Sequence, residues 1–239
     1  MTESIRLSKR LAELLSCSRS QAEQYIEGGW VLVDGQVVEE QGARVLPQQK
    51  VELLPQASLA APAPVTILLH KAAGVDMVAS PLAQLITPEN HAADDRSGTR
   101  FIKRHLSSLT LAGPLESYAS GLLVLTQDWR IARKLIDDTA KVEQEFIVEV
   151  SGSIIDDGLK LLNHGLKYNG RALPPIKVSW QNETRLRFAL KAPQLGQIRG
   201  MCEKVGLNVV ALKRIRIGRL PMAGLQAGQW RYLLGYEQF

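Results

Sequence analysis

The sequence predicts an α+β protein in two unequal parts, and three observations carry that expectation. Residues 1–55 read as two short helices followed by a hairpin. The stretch PQASLAAPAP (55–64) then breaks the pattern: it carries no charge, and its prolines lack an N–H and constrain their neighbours, so no regular helix forms there. From Val65 to Phe239, aliphatic strand-like runs alternate with short helical ones, which predicts a mixed, mainly antiparallel sheet domain. The expected organisation is a small α/β domain over 1–55, a semi-extended linker over 56–64 and a larger domain over 65–239.

In chain order, Ser8 is the expected cap of a first helix, KRLAELL. A second helix opens at Ser18, where Gln21 stands at capping-box spacing, and closes at Gly28-Gly29, a glycine pair suited to a left-handed cap. WVLVDGQVV predicts a hairpin turning at Asp34-Gly35. In the larger part, TILLH (66–70) suits a buried strand and TPENHAADDRSG an exposed loop. Leu122–Thr126 predicts a strand, and Asp128 caps a helix, WRIARKLIDD. Gln144–Val150 alternates as a strand, a helix near 156–163 stops at Gly165, and TRLRFALK (184–191) places Leu186, Phe188 and Leu190 on one face. GQIRGMCEKVG predicts a helix, NVVALKRIRIG a strand and GQWRYLL a closing strand.

With 239 residues, 45% of them hydrophobic, the chain can bury a sizeable core. MTESIRLSKR has no apolar leader segment, and runs such as Leu122–Leu125 fall far short of a membrane span. A cytoplasmic protein without membrane attachment is expected. Cys17 and Cys202 are too few for a disulfide framework, and no Cys-His cluster has metal-ligand spacing, so no metal is expected. Asp94-Asp95 sits in a polar stretch without a helpfully spaced histidine, and His70, His91, His105 and His164 are scattered. Gly196–Gly200 lacks the Gly-Lys-Ser/Thr of a phosphate loop. The net charge of +5 and a pI near 9.3 raise the expectation of a polyanionic partner. That charge is clustered. Arg6, Lys9, Arg10 and Arg19 fall close together, and a second group spans Arg199, Lys204, Lys213, Arg214, Arg216 and Arg219. On the second, strand alternation would put Arg214 and Arg216 on one face and Lys213 on the other.

IRLSKRLAELLSCSRSQAEQYIEGGWVLVDGQVV resembles the S4-type RNA-binding domain, through its R-L-x-K start, C-S-R (17–19), A-E-x-Y-I (22–26) and V-x-V-D-G turn. The larger part resembles the bacterial ribosomal RNA pseudouridine synthases that carry such a domain. LLHKAAGV (68–75) resembles their N-K-P-x-G segment, and GPLESYASGLLVLT (113–126) their G-R-L-D-x-x-S-x-G-L-L. QEFIVEV (144–150) resembles K-E-Y-x-V, QIRGMCEKVGLNVVALKRIRIG (197–218) the Q-I-R-R-M-C segment with its following strand, and GQWRYL (228–233) the closing G-x-W-R.

The resemblance implies a reaction without a cofactor: the N1–C1′ bond of a uridine breaks, the uracil turns in place, and C5 joins C1′. It implies RNA, ribosomal RNA in particular, as the partner of a monomeric protein, and a target nucleotide taken out of its stack. It puts Glu116 at the position of the catalytic aspartate, Phe146 at that of the aromatic side chain that stacks on the base, and Arg199 at that of the arginine that pairs with the carboxylate. It implies RNA contacts for Arg6, Lys9, Arg10 and Arg19, for Lys71 at the mouth of the pocket, and for Lys213, Arg214 and Arg216.

Several positions depart from the family pattern. Glutamate at 116 is one methylene longer than aspartate, and a displacement of about 1 Å can cost on the order of 100-fold in rate. Pro114 replaces an arginine, Ala119 a serine or threonine and Phe146 a tyrosine. Leu195-Gly196, Gly200 and Ser20 also replace family residues. Two readings follow. One is an RNA uridine isomerase with Glu116 in the aspartate's role. The other is a family member that binds RNA, for example in ribosome assembly, without turnover. Without the resemblance, Glu116 reads as an exposed acid after a turn, Phe146 as a core aromatic, and the basic residues as solvated side chains.

Overall fold

The computed structural model describes residues 3–60 and 63–239, so part of the expected linker, residues 61 and 62, lies outside the described residues. The chain divides into two compact units. One runs to Pro64 and includes Arg100–Ser108; the other comprises Val65–Thr99 and Leu109–Phe239.

In the first unit, β1 (Ile5–Arg6) leads into α1 (Leu7–Leu15) and α2 (Arg19–Glu27), followed by β2 (Val31–Val33), β3 (Gln36–Val37), β4 (Arg44–Val45) and β5 (Val51–Leu53). β1 pairs with β4, and β2 lies between β3 and β5. Ser18 and Gln21 form the reciprocal capping box, and Gly29 takes a left-handed φ of +66°. Asp34 and Gly35 both have positive φ, +51° and +81°, the geometry of a two-residue hairpin turn. Leu7, Leu11, Ala22, Ile26, Val31 and Val45 close a small core. Ser8 is not a cap. α1 begins one residue before it, without a side-chain cap on Arg6, and Ser8 points into the core with its hydroxyl unpartnered.

The expectation of an uninterrupted domain over 65–239 is corrected by Arg100–Ser108, which groups with the first unit. Its side chains supply the reason. The Arg100 guanidinium donates to the carbonyls of Gly28 (2.9 Å) and Gly29 (2.6 Å) and lies over the Trp30 ring, 4.6 Å from its centroid. Lys103 pairs with Glu40 and Arg104 with Glu27. His105, on the 3-10 turn Lys103–Leu106, is buried, and burial pushes its pKa down to about 4. An unfolded histidine titrates near 6.5, so between those values the unfolded chain holds more protons. Stability should therefore be full above pH 6.5 and fall as the pH drops towards 4, by about 2 to 3 kcal/mol from this residue. Urea titrations of the full chain at pH 7 and pH 4.5 will read that loss, and His105→Gln should remove most of the difference.

The second unit is built on one nine-stranded sheet. Its strands are β6 (Thr66–Lys71), β7 (Thr110–Ala112), β8 (Ser120–Thr126), β9 (Glu143–Gly152), β12 (Lys177–Trp180), β13 (Arg185–Lys191), β14 (Leu207–Ile217), β15 (Leu220–Pro221) and β16 (Trp230–Tyr232). The spatial order is β12-β13-β9-β14-β8-β6-β16, with β7 on β8 and β15 on β14. Between the strands come α3 (Leu82–Leu85), α4 (Trp129–Ile136), α5 (Gly158–Asn163), a small hairpin of β10 (Lys167–Tyr168) and β11 (Arg171–Ala172), and α6 (Gln197–Lys204). Asp128 caps α4 through the Arg130 N–H. β6 and β8 are buried almost throughout, which explains their unbroken aliphatic runs.

The pairing of β8 with β14 is parallel, and it is tight at Gly121. A Cβ there would lie 2.2 Å from the Arg214 carbonyl oxygen, so no other residue fits. The stretch around TPENHAADDRSG is not a loose loop. His91 stacks on Trp230 at 4.1 Å between ring centroids and bonds Asp95 through Nε2 at 2.6 Å, a histidine partner that the sequence reading did not find. The same carboxylate accepts from the Tyr232 and Ser97 N–H groups. Burial works to raise the Asp95 carboxyl, but these bonds outweigh it and leave the pKa lowered.

Candidate active site

Glu116 stands on the turn from β7 to β8. Leu115 is buried beside it, and the Ala119 N–H closes the turn on the Glu116 carbonyl at 3.0 Å. Lys71, only 1% exposed at the end of β6, holds the turn from below. Its ammonium donates to the carbonyls of Ala119 (2.6 Å), Ser117 (2.9 Å) and Ala72 (3.1 Å). Burial lowers the Lys71 pKa, while the charges of Asp76 and Glu116 oppose that.

The carboxylate reaches the start of α6, where Glu116 Oε1 accepts from the Gly196 N–H at 2.5 Å. Gly196, with φ +77°, directly precedes the helix, so the acid lies at its positive end, where a negative charge is favoured. Arg214, on β14, is 1% exposed. Its guanidinium donates to Leu122 O (2.8 Å), Gly113 O (2.6 Å) and Gln144 Oε1 (3.1 Å). Burial pushes its pKa down to about 9, and the charge of Glu116 works against that loss. Phe146, buried on β9, is the cross-strand partner of Arg214 on one side and of Phe188 on the other. A cavity of about 250 Å³ opens beside the turn, lined among others by Gly113, Pro114, Gln144, Pro193, Leu195 and Arg214.

Arg199 does not pair with Glu116. Its guanidinium lies over the Tyr118 ring, 3.7 Å from the centroid, because Tyr118 presents its π face there and the carboxylate is taken by Gly196. Gly200 also has a local reason: a Cβ there would come within 3.0 Å of the Tyr168 ring, whose hydroxyl donates to Leu195 O at 2.9 Å.

Two expected RNA contacts are corrected. Lys71 and Arg214 are buried and committed to carbonyls and an amide, out of reach of a phosphate. Arg216 is ion-paired to Glu143 and Glu145. Arg214 and Arg216 do not share a face either. A bulge between them sets Arg214 opposite Phe146 and Arg216 opposite Glu145, and residues 145 and 146 point to opposite sides of the sheet. The Arg216 pair, helped by Arg187, brings the Glu145 carboxyl down to about 2. Lys213 is half-buried, and its charge adds to the effect of burial in lowering the His70 pKa. Arg6, Lys9 and Arg19 are exposed and Arg10 half-exposed. Among the described residues no three His, Cys, Asp or Glu side chains gather as a metal-binding set.

Sequence reasoning missed Tyr118 and misplaced Arg214. The one signal for Arg214 was its place two residues after Leu212, on the same, buried face of β14. Tyr118 carried none, because its role depends on α6, some eighty residues away.

Comparison with known proteins agrees with this architecture. The S4 domain family matches residues 5–51. An uncharacterized RNA pseudouridine synthase of Aquifex aeolicus is 31% identical over 98% of this chain and 94% of its own length. Ribosomal large subunit pseudouridine synthase B of Bacillus subtilis is 28% identical over 97% of this chain and 93% of its own. Ribosomal small subunit pseudouridine synthase A of Vibrio cholerae is 26% identical over 98% and 97%. The solved structure of a pseudouridylate synthase shares the fold with a TM-score of 0.59, at 19% identity and 96% coverage of both chains. With 31% identity sustained from end to end, an N-terminal S4 domain and a matching fold, the chain belongs to the RNA pseudouridine synthase family.

Proposed function

We propose that this chain isomerises a uridine of ribosomal RNA to pseudouridine, with Glu116 as the reacting carboxylate. The observation that carries the reading is the setting of that acid. The Gly196 N–H and the start of α6 face it, and its charge acts on the buried Arg214 and Lys71. Such surroundings complement the negative charge of a carboxylate, whether it attacks the sugar or moves a proton. The reaction balances without an external reactant: the N1–C1′ bond breaks, C5–C1′ forms, C5 gives up its hydrogen to solvent, and N1 takes a proton. Phe146 lies in the sheet beside Arg214, and Tyr118, with Arg199 on its ring, stands two residues from the carboxylate.

The names of the relatives support ribosomal RNA as the substrate. No helix among the described residues is long and apolar enough to cross a membrane, and a monomer acting in the cytoplasm fits the reading. Mapping pseudouridines in ribosomal RNA from cells with and without this gene tests it. A uridine modified only when the gene is present is the expected result; identical maps would overturn the proposal.

Arg6, Lys9, Arg10 and Arg19 hold the RNA backbone in this reading, with Lys213 as a further contact. Among the described residues no carboxylate forms a salt bridge with the first four, which leaves their charges available to phosphates. Replacing Arg6, Lys9 and Arg10 together by alanine should weaken RNA binding for all sequences. It should also flatten the plot of log affinity against log salt by about 2 to 3 units of slope. Filter binding at several salt concentrations measures both.

A further inference from the structure

Buried polar atoms in folded proteins nearly always have hydrogen-bond partners, so each exception needs a reason. Among the described residues two side-chain atoms are buried without one, Ser8 Oγ and Tyr118 Oη. Ser8 sits in the core of the first unit, where nothing reactive is near. Tyr118 stands two residues from Glu116, with the Arg199 guanidinium packed on its ring.

We propose that the Tyr118 hydroxyl contacts the substrate, donating a hydrogen bond to a carbonyl oxygen of the target uracil. The inference rests on the proposed function and names a group within the same site. Its neighbours narrow the choice of partner. The Glu116 carboxylate already accepts from Gly196 N–H; it lies close enough to the phenol to help raise its pKa, but the hydroxyl makes no hydrogen bond of full geometry with it. Tyr168, the other tyrosine beside this cleft, is satisfied by Leu195 O and has no donor to spare. Phe146 has no hydroxyl, so the polar edge of a base in this site must be met from elsewhere. Uracil presents two carbonyl acceptors, and a phenol is a neutral donor suited to either. The stack of Arg199 on the ring restrains the side chain, so the hydroxyl is aimed before the base arrives. Burial, then the charge of Glu116, raises the Tyr118 pKa; Arg199 opposes this and the side-chain interaction with Glu116 adds to it, which keeps the proton on the oxygen at neutral pH.

Tyr118→Phe keeps the ring and its contact with Arg199 and removes only the hydroxyl. The assay is tritium release from ribosomal RNA labelled with [5-³H]uridine and purified from cells lacking the gene. The expected result is a kcat/KM lowered about 10-fold or more, with a melting temperature equal to or above that of the unaltered chain, since a buried unpaired hydroxyl has been deleted. Unchanged kcat/KM would overturn the inference and leave the proposed function standing. A melting temperature lowered by several degrees would also overturn it, because the hydroxyl would then be bonded within the folded protein. Absence of release by the unaltered chain would overturn the proposed function and this contact with it.

Discussion

Glu116→Gln should abolish isomerisation, lowering tritium release from labelled ribosomal RNA by about 1000-fold or more. The amide has the carboxylate's size, and its oxygen can still accept from the Gly196 N–H. What it lacks is the charge: it can neither attack C1′ nor take a proton, and it leaves Arg214 without the one acid whose charge acts on it. The fold should survive with a slightly lower melting temperature, which circular dichroism will show. Glu116→Asp is the more telling variant. The motif resemblance puts aspartate at this position, yet the turn, the Lys71 clamp and α6 are here arranged around the longer side chain. Retracting the carboxylate by about 1 Å from Gly196 should lower the rate on the order of 100-fold. A gain of activity in Glu116→Asp would mean that the glutamate impairs an aspartate site.

Arg214→Ala is expected to be the most destabilising single change in the second unit. It leaves Leu122 O, Gly113 O and Gln144 Oε1 buried without a donor and opens a cavity between β8 and β9. Breaking such a network costs about 3 to 5 kcal/mol, which for a chain of this size lowers the melting temperature by roughly 6 to 20 °C. Arg214→Lys should recover only part of the loss, since one ammonium cannot span the three directions of the guanidinium fork. Calorimetry reads the shift. Both variants should also lose activity, because Gly113 O, the Arg214 acceptor three residues before Glu116, anchors the turn that carries Glu116.

Elements governed by local rules were legible before any fold was known. The Ser18–Gln21 capping box, the Asp34-Gly35 turn, the Asp128 cap and the aliphatic strand Leu122–Thr126 each depend on neighbours a few residues apart. What escaped depends on distant partners. Lys71 reads as a surface cation until a turn 46 residues away offers its carbonyls. Alternation on β14 predicts a shared face for Arg214 and Arg216, and only pairing with β9 introduces the bulge that separates them. The Ser8 cap failed because Leu7 begins the helix and turns Ser8 into the core. In the site, the position of Glu116 came from a motif, whereas its contact with Gly196 and the placing of Arg199 over Tyr118 depend on α6, some eighty residues away.

The Arg100–Ser108 segment bears on how the protein emerges from the ribosome. Synthesis of Pro64 does not supply every part of the first unit, since Arg100 and His105 are still to be made. At about 5 to 20 residues per second, the 44 residues from Pro64 to Ser108 take roughly 2 to 9 seconds. For that interval the nascent first unit waits with Trp30 and the Gly28-Gly29 carbonyls uncovered. It is an early translation product that matures late.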